Sequence, residues 1–232
     1  MTVLSLDTTS RAGSVAVVLD GQVLCEHVGD PQRTHGERLP GELMRALDAA
    51  GRRLDQVDLL AVAAGPGSFT GLRVGIAAMQ GIAQATGLRI VPVSVLEALA
   101  HAAGEGTDPV GTWVDAQRGQ VFAALFDGSG RTMLAEPSAL APGDTLEAWA
   151  AASPCPPRIR FIGDGAVRYA DVLARARGLR AVVLGEPPPL ASIIGAIARA
   201  HPERAVLPHA VVPIYIRRPD AELARLRRQR GG

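Results

Sequence analysis

Residues 2–28 read TVLSLDTTSRAGSVAVVLDGQVLCEHV. An apolar run over 2–6 stops at Asp7. A second, over 14–19, stops at Asp20-Gly21, a dipeptide that suits a two-residue hairpin turn. Residues 22–28 return, so the stretch predicts three strands joined in succession. The pattern then changes period. Leu39, Leu43 and Leu47 recur every fourth residue within 36–50, which places them on one face of a helix. A buried strand over 57–64, a helix over 69–86, a strand over 90–93 and a helix opened by Ser94-Val95-Leu96-Glu97 complete the first half. Serine followed three residues later by glutamate is the sequence form of a capping box.

The order then repeats. Strands are expected over 110–114, 120–126 and 132–135, with a turn at Asp127-Gly128-Ser129-Gly130. A helix over 144–152 follows, then strand 159–162, helix 167–177, strand 181–184 and helix 190–200. Each half therefore runs three strands, helix, strand, helix, strand, helix. Hairpin-linked strands followed by crossover helices make a ribonuclease-H-like lobe. Two in tandem predict an α/β protein of duplicated lobes, each a mixed sheet flanked by helices, as in the actin, Hsp70 and sugar-kinase superfamily. The polar Gly/Pro cluster at 104–109 marks the boundary. The expected division is 1–104 for the first lobe, 105–216 for the second and 217–232 for an Arg-rich tail, read as a solvated or disordered end, an RNA-phosphate contact or a protein contact. The segment Ser153-Pro154-Cys155-Pro156-Pro157 reads as a rigid loop.

Bulk properties narrow the class. With 232 residues and 47% hydrophobic content the chain can bury a large core, and with only 3% aromatics that core is built from Ala, Val, Leu and Ile. A formal net charge of +1 gives no global basic field for nucleic acid. Two cysteines, Cys25 and Cys155, argue for a reducing compartment rather than a disulfide framework. The start lacks the basic region of a secretory signal and the apolar runs are too short to span a bilayer, so a cytoplasmic protein without membrane attachment is expected.

Candidate chemistry sits at three places. Asp7-Thr8-Thr9 ends the first strand where actin-like ATPases carry a phosphate loop, and Asp115-Ala116-Gln117-Arg118-Gly119 is its counterpart in the second half. Phosphate loops favour glycine after the aspartate, because backbone N–H groups must approach closely. Thr9 stands there instead, so a polar turn capped by its own side chains is the competing reading. The second place is Gly65-Pro66-Gly67-Ser68-Phe69-Thr70-Gly71-Leu72-Arg73, joining a strand to a helix. Ser68 can cap that helix, whose start could hold an anion; the alternative is a purely structural turn. With no lysine in the chain it is not a P-loop, and its glycine spacing does not make a nucleophile elbow. The third is the helix behind it. Gly71, Gly75, Ala78 and Ile82 form one stripe, and Leu72, Ile76 and Met79 the next. Glycine inside a helix costs about 1 kcal/mol relative to alanine, so Gly71, Gly75 and Gly81 imply close approach of another helix, in the same chain or in a partner. The five histidines form no helical pair suited to a metal, and no metal ligands are assigned. His35, beside Glu37, reads as a helix-start residue.

These blocks carry a resemblance. Asp7-Thr8-Thr9, the Gly65-to-Gly75 run, Ser94-Val95-Leu96-Glu97, Asp115-Ala116-Gln117-Arg118-Gly119-Gln120, Gly163-Asp164-Gly165-Ala166 and Pro213-Ile214-Tyr215-Ile216-Arg217 are similar, in order, to the TsaB (YeaZ) family over about residues 2–217. The resemblance implies a subunit without catalytic residues of its own, in the machinery that places threonylcarbamoyl on tRNA adenosine. It implies pairing with the catalytic paralogue TsaD, involvement of the ATPase TsaE, and a homodimer when alone. Leu39, Leu43, Leu47, Gly71, Leu72, Gly75, Ile76, Ala78, Met79 and Ile82 are then candidate partner-facing positions. Asp7, Thr8, Thr9, Ser68, Asp115, Arg118, Gly163 and Asp164 are a candidate vestigial nucleotide or phosphate site, with no intrinsic cofactor and ATP or ADP at most at a complex interface. A kinase-like phosphotransferase and an M22-type peptidase are the alternatives; a peptidase of that type would need a metal pair that the histidine spacing does not offer.

Overall fold

The computed structural model describes residues 1–152 and 156–217. Residues 153–155 of the Pro-rich loop, and the Arg-rich tail from 218 onward, lie outside the described residues. The apolar runs form two five-stranded sheets of one design. β1 (Thr2–Asp7), β2 (Ser14–Leu19), β3 (Gln22–Val28), β4 (Leu59–Gly65) and β5 (Ile90–Ser94) lie in the order β3-β2-β1-β4-β5. β6 (Val110–Asp115), β7 (Val121–Phe126), β8 (Met133–Leu140), β9 (Arg158–Ile162) and β10 (Arg180–Val183) lie in the order β10-β9-β6-β7-β8. In both, the first three strands pair antiparallel and the last two join parallel to the first. This is the expected duplicated ribonuclease-H-like architecture.

The helices are α1 (His35–Ala49), α2 (Phe69–Thr86), α3 (Val95–Ala102), α4 (Pro142–Ala152), α5 (Asp164–Arg168), α6 (Ala170–Ala174) and α7 (Ala191–Ala200). Because side chains alternate across a strand, β1 presents Leu4 and Leu6 to α1 and α2, and Val3 and Ser5 to α7. The result is five layers: α1 and α2, the first sheet, α3 and α7, the second sheet, then α4 to α6. The middle core joins the lobes, with Val93, Leu96, Leu99, Val110, Phe126 and Ile194 in one cluster. The outer core of the second lobe stacks Trp113, Trp149 and Phe161 with ring centroids 5.2–6.4 Å apart.

Three expectations change and one feature is added. Residues 105–216 do not all belong to the second lobe, since α7 packs on β1, β2 and β4 of the first sheet. Ser5 Oγ donates to the Ala191 carbonyl at 2.6 Å, the Ala191 N–H donates to Ser14 Oγ at 3.0 Å, and the Glu26 carboxylate accepts from the Ser192 N–H and hydroxyl. The helix expected over 167–177 is two short helices broken at Tyr169, whose φ of −107° and ψ of 26° leave the helical region. Ser94 makes no side-chain cap, and Glu97 instead meets Arg204 at 2.7 Å. A cap forms where none was read: the Glu37 carboxylate accepts from both the N–H and the hydroxyl of Thr34, at 2.9 and 2.8 Å.

Candidate functional site

The ends of β1, β4 and β6 meet at the seam between the lobes. Asp7 is buried, and its Oδ1 accepts from the Thr9 N–H at 2.8 Å and the Thr9 hydroxyl at 2.6 Å. Burial pushes its carboxyl above the ordinary range, against the pull of those bonds. The second lobe repeats the device. Asp115 accepts from the Gln117 N–H at 3.1 Å and the Gln117 side-chain amide at 2.8 Å, and pairs with Arg168 at 3.1 Å. Asp164 Oδ1 accepts from the N–H groups of Asp115 and Gly165 at 3.0 and 2.8 Å. Asp7 and Asp115 are thus each tied to the residue two positions on, in turns held by their own side chains.

The glycines of the Gly65–Gly75 run are shaped around Thr8 and Thr9. The Ser68 N–H donates to the Thr9 carbonyl at 3.0 Å, Ser68 Oγ caps α2 by accepting from the Gly71 N–H, and the Thr8 hydroxyl donates to the Gly71 carbonyl at 2.8 Å. A Cβ at Gly67 would lie 2.6 Å from Thr9 Cβ, one at Gly71 2.0 Å from the Thr8 carbonyl oxygen, and one at Gly75 2.1 Å from Thr8 Oγ1. Gly71 and Gly75 therefore admit the end of β1, not a second helix, which corrects the partner-facing reading of both. Gly65-Pro66 is a cis peptide.

Leu39, Leu43, Leu47, Leu72, Ile76 and Met79 are also withdrawn from the surface. All six are buried against the first sheet, because the apolar stripe of a surface helix faces its own core. Ala78 and Ile82 remain half-buried. The exposed residues of the two helices include the apolar Pro40, Met44 and Ala77 and the charged Glu37, Arg45, Asp48 and Arg73, while Val74, Ala78 and Ile82 are half-buried against the core; Met44 is 52% exposed, and a Cβ at Gly81 would meet nothing within 4 Å.

Between the lobes lies a cleft of about 690 Å³. Thr9, Ser68, Asp115 and Asp164 line it, while Asp7, Gly163 and Asp164 line an adjoining hollow of about 300 Å³. Thr8 is 1% exposed and turned onto α2. Arg118 lines neither space and sits in a left-handed turn with Gln117 and Gly119. Gly163 lets β9 turn against β6, since a Cβ there would lie 2.1 Å from the Trp113 carbonyl oxygen. Sequence reading missed the cleft's other wall. The segment after α7 returns to the first lobe. Gln80 donates to the Pro208 and Val211 carbonyls, and the Ile214 N–H donates to the Ala64 carbonyl at 2.7 Å. Tyr215 then stacks on Phe69 with centroids 5.7 Å apart, and Arg217 lies over Phe122. Aromatic scarcity was the available signal: of four Phe and two Tyr in the chain, Phe69, Phe122 and Tyr215 line this cleft.

Among the described residues no group of three or more His, Cys, Asp or Glu converges to hold a metal, and no helix is long and apolar enough to cross a membrane. His35 begins α1 with its ring between the Ser10 carbonyl and Arg38, at 3.0 and 2.9 Å. Arg38 is buried, bonded to Glu42 at 2.7 Å and to the carbonyls of Arg11 and Ala12, and so fixes the 10–13 loop at the cleft edge.

Two lobes with matched sheets and paired aspartate turns facing one cleft define a protein of the actin-like ASKHA fold. A family model for "TsaD: tRNA N6-adenosine threonylcarbamoyltransferase" matches residues 28–162. The tRNA threonylcarbamoyladenosine biosynthesis protein TsaB of Haemophilus influenzae is 40% identical over 125 residues, 53% of this chain and 52% of that protein. The match thus spans about half the length of that curated relative. An uncharacterised protein of Mycobacterium tuberculosis is 32% identical over 95% of this chain and 94% of its own length. The solved structure of YeaZ from Pseudomonas aeruginosa superposes with a TM-score of 0.74 at 28% identity, covering 92% of this chain and 99% of that one. The chain belongs to this tRNA N6-adenosine threonylcarbamoyltransferase family, on its TsaB (YeaZ) branch.

Proposed function

We propose that this chain is a pairing subunit, without catalytic residues of its own, in the biosynthesis of threonylcarbamoyladenosine on tRNA in the cytoplasm. It docks a TsaD-like catalytic paralogue through the outward side of α1 and α2, works with a TsaE-like ATPase, and forms a homodimer when alone. The carrying observation is that side. Helix α2 is apolar on two faces: one buries Leu72, Ile76 and Met79, and the other carries exposed Ala77 and Gly81 with Val74, Ala78 and Ile82, which are half-buried against the core and keep part of their surface open, near the exposed Met44 of α1. A surface helix in a lone protein has a polar outer face, and small residues there let another helix approach closely. The tied carboxylates favour pairing over phosphotransfer, since Thr9 makes both its bonds to Asp7 Oδ1 and Gln117 and Arg168 engage both oxygens of Asp115. ATP or ADP, on this reading, binds only where a complex completes the cleft.

Gly75 is unsuited to test this face, because a side chain there strikes Thr8. Ile82→Asp is suited. Size-exclusion chromatography of this chain mixed with the paralogue should show a heteromeric peak that Ile82→Asp abolishes at a temperature where the variant, which loses some packing of the half-buried Ile82, is still folded by circular dichroism. A complex indifferent to that charge would remove α2 from the interface.

A further inference from the structure

Six arginines among the described residues are matched by a carboxylate: Arg38, Arg53, Arg131, Arg158, Arg168 and Arg204. Three at the mouth of the interlobe cleft meet no carboxylate among the described residues. Arg11 is exposed and lines the cleft, Arg73 lies over Phe69 at 5.3 Å, and Arg217 bonds the neutral Gln120 at 2.9 Å and lies over Phe122 at 5.9 Å. The acids on the facing wall are already engaged: Asp115 by Arg168 and Gln117, Asp164 by two backbone N–H groups. The same mouth exposes the stacked pair Phe69 and Tyr215, at 45% and 44%, in a chain with six Phe and Tyr altogether. Exposed aromatic rings beside cations that no described carboxylate engages suit a flat ring joined to negatively charged groups. Nucleotides are that chemistry, and single-stranded nucleic acid is bound by stacked bases and basic grooves of this kind.

We infer that this mouth is an RNA-contact site: an unpaired base stacks on the Phe69–Tyr215 pair, and the flanking phosphates meet Arg11, Arg73 and Arg217. The inference rests on the tRNA reading above and gives this chain its own share in holding the RNA. It is distinct from a phosphate site at the aspartate turns, whose donors face their own loops. Free mononucleotide shares the ligand chemistry, and the test separates the two sources.

The test measures binding of the full chain to a short fluorescent single-stranded oligoribonucleotide, with AMP and a duplex RNA of equal length as competitors. Tyr215→Ala should weaken binding about tenfold, in the range of one lost base stack. Arg73→Gln should weaken it too and flatten the slope of log affinity against log salt by about 0.7, one phosphate contact. Arg175→Gln, which removes an exposed charge of the second lobe outside the cleft, should do neither. Neither duplex nor AMP should displace the strand at matched nucleotide concentration. Equal losses from Arg73→Gln and Arg175→Gln, efficient displacement by AMP, or no effect of either cleft variant would overturn the proposal. If Tyr215→Ala melts early, Arg73→Gln decides alone. Mixing the wild-type chain with the TsaD-like paralogue keeps the two readings apart: a complex without strand binding refutes this inference only, and strand binding without a complex refutes only the pairing role.

Discussion

Replacing Gly75 and Gly81 by alanine separates two reasons for glycine within one helix. Both lie inside α2, so both substitutions gain about 1 kcal/mol of helix propensity. At Gly81 nothing lies within 4 Å of the added methyl, and the gain stands alone. At Gly75 the methyl would lie 2.1 Å from Thr8 Oγ1 and 3.2 Å from Thr8 Cβ. Thr8 is buried and its hydroxyl is committed to the Gly71 carbonyl. Making room costs roughly 1–3 kcal/mol of overpacking and about 1 kcal/mol for the buried hydrogen bond. Subtracting the propensity gain leaves Gly75→Ala roughly 1–3 kcal/mol less stable than wild type. For a chain of this size each kcal/mol moves the midpoint roughly 2–4 °C. Gly81→Ala should therefore melt a few degrees above wild type and Gly75→Ala clearly below it, by calorimetry or circular dichroism. Thr8→Ala combined with Gly75→Ala should recover part of the loss, with a coupling of about 1–2 kcal/mol. If Gly75→Ala proves as stable as Gly81→Ala, or the double variant is additive, the fit of Gly75 to Thr8 is wrong.

Three further outcomes follow from the same contacts. Burial raises the Asp7 carboxyl above its ordinary 3.8, so this group favours folding below that value and the contribution is lost as pH rises toward the folded value. Asp7→Asn should accordingly stabilise the protein at neutral pH, with the difference vanishing in acid denaturation series below pH 3.8. Asp127 runs oppositely. The Ser129 hydroxyl bond, with backbone N–H groups, holds it down to about 2, so its contribution is present above 3.8 and fades as pH falls toward 2; carboxyl NMR titration should find that low value, and Ser129→Ala should raise it. Arg38→Met leaves Glu42 buried beside only His27 and should cost roughly 3–5 kcal/mol in urea unfolding.

Much of the fold is legible in the chain because each strand and helix carries its own period: the Asp20-Gly21 hairpin and the Leu39, Leu43, Leu47 stripe need no tertiary information. What those stripes face does not follow from spacing. The leucines look equally suited to a partner and to the chain's own sheet, and burial resolves them to the sheet. Gly75 and Gly81 look alike in sequence, yet one is crowded by a residue 67 positions away (Thr8) and the other by nothing. The apolar face of α7 could cover either sheet; the Ser5 hydroxyl donating to the Ala191 carbonyl, and Ser14 Oγ and Glu26 accepting from the Ala191 and Ser192 N–H groups, select the first. The aspartate turns were readable as pairs, but Tyr215 and Arg217 reach the cleft only through the returning segment that Gln80 and Ala64 anchor.

The pairing role is tested most directly by light scattering coupled to size exclusion. This chain should form a stoichiometric complex with its TsaD-like paralogue, lost with Ile82→Asp and kept with Gly81→Ala. Two proteins eluting separately at their own masses, or a complex that Ile82→Asp leaves intact, would contradict it.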